Sequence, residues 1–135
     1  MDMRVAVLVD ASFFLKRLEF FKKKYFPTQA ELEPKQVVQV LNICIKRHLN
    51  DFNSNVYQHL YRVFYYDSPP LNIRVHYPLI NEGETNPRVL DFSKLPETKH
   101  RNDILTEIKK QRKFALRLGS IKHDKQWKLS DRALN

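Results

Sequence analysis

Asp10 and Asp67 are the residues whose type and spacing could support chemistry, because each closes a short run that reads as a strand. Val5-Ala6-Val7-Leu8-Val9 precedes Asp10. His59-Leu60-Tyr61-Arg62-Val63-Phe64-Tyr65-Tyr66 precedes Asp67. Both runs are rich in β-branched or aromatic residues, and the first is continuously apolar, as in a strand buried on both faces. Roughly fifty residues with two predicted helices separate them, and a connection of that length returns the chain parallel to its start. On neighbouring strands ~4.8 Å apart, the two carboxylates would share the crevice beyond the carboxyl ends, where open α/β sheets take their ligands. Paired carboxylates repel unless a cation lies between them, and hard oxygen ligands select Mg²⁺ or Mn²⁺. Such an ion activates water and neutralises charge on a phosphodiester. The plainer reading of the same residues is that Asp10 caps the next helix and Asp67 opens the turn Ser68-Pro69-Pro70.

Charge points to the same class of partner. The chain has 135 residues and a net charge of +9, and residues 99–135 hold eleven basic against four acidic residues, or +7 of that total. A basic end of this density suits a polyanion, most simply nucleic acid. The candidate phosphate contacts are Lys109, Lys110, Arg112, Lys113, Arg117, Lys122, Lys125 and Lys128; a solvated basic face is the competing reading. Phe64, Tyr65 and Tyr66 are candidates to stack bases, although strand aromatics more commonly fill a core. Trp127, between Lys125 and Lys128, has the same two readings, contact with RNA or hairpin core.

The elements that must position these groups follow from periodicity. Strands are predicted over 4–9 and 59–66. A helix over 13–24 starts from Ser12 as N-cap and ends on Lys22-Lys23-Lys24, which suit the negative end of the helix dipole. A second helix starts at Pro34 and turns Val38, Leu41, Ile45, Leu49 and Phe52 to one side, with Cys44 beside them as core filler. Residues 72–96 show no period. A third helix is predicted over 102–112, burying Ile104, Leu105 and Ile108 and carrying Lys109, Lys110 and Arg112 outward, with Lys113 just beyond it. Phe114–Leu118 and Gln126–Leu129 read as the arms of a small hairpin around His123-Asp124.

Composition removes several alternatives. Gly83 and Gly119 are the only glycines, so a glycine-rich phosphate loop of the P-loop or dinucleotide-binding type is excluded. One cysteine, Cys44, excludes a disulfide framework and a cysteine-based metal site, and a reducing cytoplasmic setting is expected. No apolar run approaches the ~18–20 residues that span a bilayer, and the first run is too short for a signal peptide. The five histidines show no metal-ligand spacing, and no Ser/His/Asp arrangement stands out.

Three segments together resemble one family. Arg4-Val5-Ala6-Val7-Leu8-Val9-Asp10-Ala11-Ser12-Phe13-Phe14-Leu15-Lys16-Arg17 resembles the opening of NYN-domain proteins, a branch of the PIN-like ribonuclease superfamily. Tyr61-Arg62-Val63-Phe64-Tyr65-Tyr66-Asp67-Ser68-Pro69-Pro70-Leu71 resembles the second family segment, and Ala115-Leu116-Arg117-Leu118-Gly119 with Trp127 a third. The resemblance implies a three-layer α/β fold with a parallel sheet. It also implies a Mg²⁺ or Mn²⁺ site of clustered aspartates and metal-dependent cleavage of RNA, with Asp10 and Asp67 as catalytic metal ligands. Two departures accompany it. Many relatives place Asn three residues after the first Asp, where this chain has Phe13. The family continues with Lys-Gly-Val-Asp-like and Gly-Asp-Ser-Asp-like segments that bring further aspartates. Here only Asp124 and Asp131 follow, outside such motifs. Residues 1–135 therefore read as the N-terminal portion of an NYN/PIN-like domain, truncated before its last strands, with a small hairpin near 114–130. The alternatives are a non-catalytic RNA-binding module, or one half of a homo-oligomer or two-chain assembly whose partner supplies the missing strands.

Overall fold

A computed structural model describes residues 4–50, 60–123, 125–130 and 132. Strand β1 (Val5–Asp10) runs without a loop into helix α1 (Ala11–Tyr25). Helix α2 (Pro34–Asn50) leads to strand β2 (Leu60–Asp67), and the short strands β3 (Arg74–His76) and β4 (Val89–Asp91) come next. A 3₁₀ turn (Phe92–Lys94), helix α3 (Pro96–Lys109) and strand β5 (Phe114–Leu118) complete the order. β1, β2 and β5 form a parallel sheet in the order β1-β2-β5, and β3 pairs antiparallel with β4.

The parallel pairing of β1 and β2 is the arrangement the long helical connection predicts, and β5 adds a third parallel strand. Phe114–Leu118 is therefore not a hairpin arm, and residues 126–129 form no strand. Joining β2 lets β5 put Phe114 and Leu116 into the core, which a hairpin remote from the sheet could not do. Residues 125–130 are held another way. The Trp127 indole N–H donates to the His76 carbonyl at 2.6 Å, and its ring stacks on Tyr77 at 5.9 Å.

The core lies on one face of the sheet. Val63 and Tyr65 of β2, with Val5, Val7 and Val9 of β1, meet Ala11, Phe14, Leu15 and Leu18 of α1. Val37, Val38, Leu41, Ile45 and Leu49 of α2 and Ile104, Leu105 and Ile108 of α3 join the same cluster. Burying side chains such as Val63 or Ile108 completely stabilises the fold by ~1.5–3 kcal/mol apiece. All three helices thus cover one face, and the described residues build two layers rather than the expected three. On the other face Ala6, Leu8, Arg62 and Tyr66 are exposed, and Leu8 is 65% accessible. The run Val5–Val9 is continuously apolar, yet the strand alternates between half-buried and exposed positions.

Other boundaries moved for local reasons. α1 begins at Ala11 because Asp10, still extended, caps it by accepting the Phe13 N–H at 3.2 Å, so Ser12 is not the N-cap. α2 starts at Pro34 as predicted and buries the predicted stripe; Phe52 lies outside the described residues. Cys44 is exposed, one step off that stripe, and does not fill the core. α3 starts at Pro96 and stops at Lys109, so Lys110, Arg112 and Lys113 belong to the turn into β5 rather than to a helical face. Lys113 takes a φ of 65°, which ends the turn and sets the register of β5. In the stretch expected to be irregular, β3 and β4 are three residues long, too short to show a period. They are tied by Arg74 to Asp91 at 3.1 Å.

Candidate nucleic-acid interface and strand-end carboxylates

Asp10 and Asp67 end adjacent parallel strands, as their sequence positions imply. Register separates their surroundings. Asp10 lies opposite Tyr66, and Asp67 is one residue further on, in the alternation that buries Val63 and Tyr65. Asp10 is exposed, and its carboxylate caps α1. The Asp67 side chain is only 3% accessible. One of its oxygens accepts from the Arg101 guanidinium at 2.7 Å and from the Ser68 N–H at 2.8 Å. Its backbone carbonyl accepts from the Gly119 N–H at 2.9 Å, which closes the end of β2 against the residue after β5. A Cβ on Gly119 would come within 3.0 Å of the Ser68 hydroxyl oxygen, so this closure favours glycine.

The buried phenol of Tyr65 adds to this environment. Its hydroxyl has no hydrogen-bond partner among the described residues. Burial, reinforced by the nearby Asp67 charge and opposed by Arg101, pushes its pKa up to about 12.

A divalent cation needs several uncompensated oxygen ligands. Here one carboxylate is already neutralised by a guanidinium and the other serves a helix N-terminus. No group of three His, Cys, Asp or Glu side chains that could hold a metal occurs among the described residues. As placed, the donor set does not fit Mg²⁺ or Mn²⁺. Asp124 and Asp131 lie outside the described residues.

The eight predicted phosphate contacts do not form one patch. Lys109, Lys110, Arg112 and Lys113 gather where α3 turns into β5, at the amino end of the sheet, whereas Asp10 and Asp67 mark the carboxyl end. Lys110 is paired with Glu107 at 2.9 Å, and the Lys113 ammonium donates to the Leu60 carbonyl at 2.9 Å. Lys109 and Arg112 are exposed. Arg117 lies level with Tyr66 near the carboxyl end, its guanidinium 5.3 Å from the centre of the Phe64 ring. Lys122, Lys125 and Lys128 follow β5 and are exposed.

Two groups escaped the sequence reading. Arg101 precedes Ile104, Leu105 and Ile108 at helical spacing, so a cation stands on the buried stripe of α3; that position signals a buried anionic partner. Arg62 alternates with Val63, so it shares the open face with Phe64 and Tyr66. The three aromatics divide by parity. Tyr65 is fully buried, whereas Phe64 and Tyr66 face away from the helices.

No protein-family model, curated protein or solved structure matches this chain at a significant level. No helix among the described residues is long and apolar enough to cross a membrane. The chain is thus identified by its architecture, an α/β fold with a three-stranded parallel sheet covered by helices on one face.

Proposed function

We propose that this chain is an RNA-binding module of the NYN/PIN-like kind, held to its partner mainly by contacts to phosphate. The observation that supports this most directly is the disposition of cations around the sheet. Lys109 and Arg112 stand at its amino end, Arg62 and Arg117 on its uncovered face, and Lys122 and Lys125 are exposed in the segment that follows β5. Among the strand residues of that face two arginines stand against one carboxylate, Asp10, so a polyanion crossing it meets a net positive charge.

The test is binding of a labelled RNA over a range of salt concentrations. Affinity is expected to fall steeply, with log Kd linear in log salt, to be unchanged by a metal chelator, and not to be weakened by Asp10→Asn, which removes a charge that repels phosphate. Salt-independent binding, or none, would remove this reading.

Metal-dependent cleavage of RNA is the second reading, favoured by one observation: Asp10 and Asp67 end neighbouring parallel strands. It requires that Asp67 leave Arg101 and that further oxygen ligands come from elsewhere, such as a second copy or another chain. Incubating labelled RNA with Mn²⁺ separates the two readings. Cleavage abolished by both chelator and Asp10→Asn supports the nuclease; intact RNA that remains bound supports the binding module.

A further inference from the structure

Independently of the RNA-binding reading, we propose that the outward side of α1 is a docking seam for an acidic amphipathic helix of a partner protein. Ala11, Phe14, Leu15 and Leu18 hold α1 against the core. The opposite side of a surface helix is ordinarily polar. Here it carries Phe13, Arg17, Phe20, Phe21 and Lys24, all exposed, with Phe13 67% and Phe20 51% accessible. Phe13, Arg17, Phe20 and Lys24 follow one another at steps of four, three and four residues. That spacing lets one helix seat its side chains between those of another. Rings and cations form a single surface. Phe20 and Phe21 meet edge to face at 5.6 Å, and the Arg17 guanidinium lies 5.3 and 4.9 Å from their centres. The stripe is on the side of α1 away from the sheet, so it stays open whatever covers the sheet's bare face.

Charge selects the occupant. α1 holds Lys16, Arg17, Lys22, Lys23 and Lys24 against Glu19 alone, and Glu19 lies off the seam, paired with Lys23 at 2.8 Å. The seam itself therefore has two cations and no carboxylate. A second copy packed in parallel would set Arg17 against Arg17 and Lys24 against Lys24; packed antiparallel, it would cover both cations with rings and offer no anion. A bilayer would have to admit the charge that separates Phe13 from Phe20. For RNA, two cations are a weak hold. They stand two helical turns, ~10.5 Å, apart along the axis. A partner helix with Asp or Glu seven residues apart matches that distance, and its aliphatic side chains fill the spaces beside Phe13, Phe20 and Phe21.

The experiment measures, by fluorescence anisotropy on the whole chain, the binding of two labelled three-heptad helical peptides whose apolar side is Leu. One peptide carries Glu at every seventh residue of that side, and the other carries Lys there. The Glu peptide is expected to bind at least about tenfold more tightly than the Lys peptide. Phe20→Gln is expected to weaken its binding about tenfold. The double variant Arg17→Glu, Lys24→Glu is expected to reverse the preference, which loss of structure cannot do. All three positions are exposed, so urea unfolding of the variants should match that of the parent. Equal binding of the two peptides, binding of neither, or a preference that the double reversal leaves in place overturns the proposal. So does a dimer, a vesicle association or an RNA complex that Phe20→Gln dissolves while the Glu peptide fails to bind, each assigning the stripe to that other occupant. Failure of the unsubstituted chain to bind RNA removes the earlier reading, and Glu-peptide binding by the same chain still supports this one.

Discussion

The two faces of one sheet show what burial does to identical backbone. Along β2, Val63, Tyr65 and Asp67 turn toward the helices, and Arg62, Phe64 and Tyr66 turn away. On the covered face even the charged residue is taken out of water, and Arg101 reaches it at 2.7 Å. On the bare face aromatics and arginines coexist without enclosed partners, and the Arg117 contact with Phe64 is a surface contact. Covered positions thus govern stability, and bare positions contribute little to it. Substitutions on each side should break into those two classes.

The largest difference is expected from apolar truncation. Ile108→Ala, at a fully buried position of α3, should cost about 2–5 kcal/mol in urea unfolding. Leu8→Ala on the bare face should stay within about 0.5 kcal/mol. Equal losses would mean that something covers Leu8. Next comes Arg101→Ala, which strands the buried Asp67 carboxylate and should cost about 3 kcal/mol, most of it recovered in the double variant with Asp67→Asn. An Arg101→Ala chain as stable as the parent would show that the carboxylate is hydrated after all.

A smaller gain is expected at Tyr65. Removing its unpartnered hydroxyl with Tyr65→Phe should raise stability by about 1 kcal/mol. The pH dependence has a definite sign. The folded pKa of about 12 lies above the ordinary value of 10.0, so this contribution is complete below pH 10 and is lost as pH rises through 12. Tyr65→Phe should lack that part of the alkaline decline, and parallel pH–stability curves for the two proteins would remove the assignment. The smallest effect belongs to Cys44→Ser. Because the thiol is exposed, thermal unfolding should move by no more than about 0.5 kcal/mol, against the larger loss a core position would give.

How far the sequence reached differs between elements for identifiable reasons. α2 was legible because Val38, Leu41, Ile45 and Leu49 repeat every three or four positions behind a proline suited to its first turn. Cys44 was misplaced because residues adjoining a helical stripe look alike in sequence whether they lean in or out. The start of α3 was missed because its first turns are polar, and only Thr98 there is buried, its hydroxyl donating to the Phe92 carbonyl at 2.6 Å. The candidate site divides similarly. That Asp10 and Asp67 end parallel neighbours was predictable, whereas the Arg101 contact spans 34 residues and no local pattern encodes it.

The sequence by itself determined the states of the longest early runs, β1, α1, α2 and β2, and that the two strands among them run parallel with an aspartate at the carboxyl end of each. It also determined the net positive charge and its concentration in residues 99–135, since these follow from composition. Tertiary structure alone decided which face of the sheet the helices cover, that Phe114–Leu118 joins β2, and that Asp67 pairs with Arg101 while Asp10 caps a helix. The physical reason is range. Alternation and periodicity are properties of neighbouring residues, whereas burial and ion pairing depend on which distant segments compete for the same face.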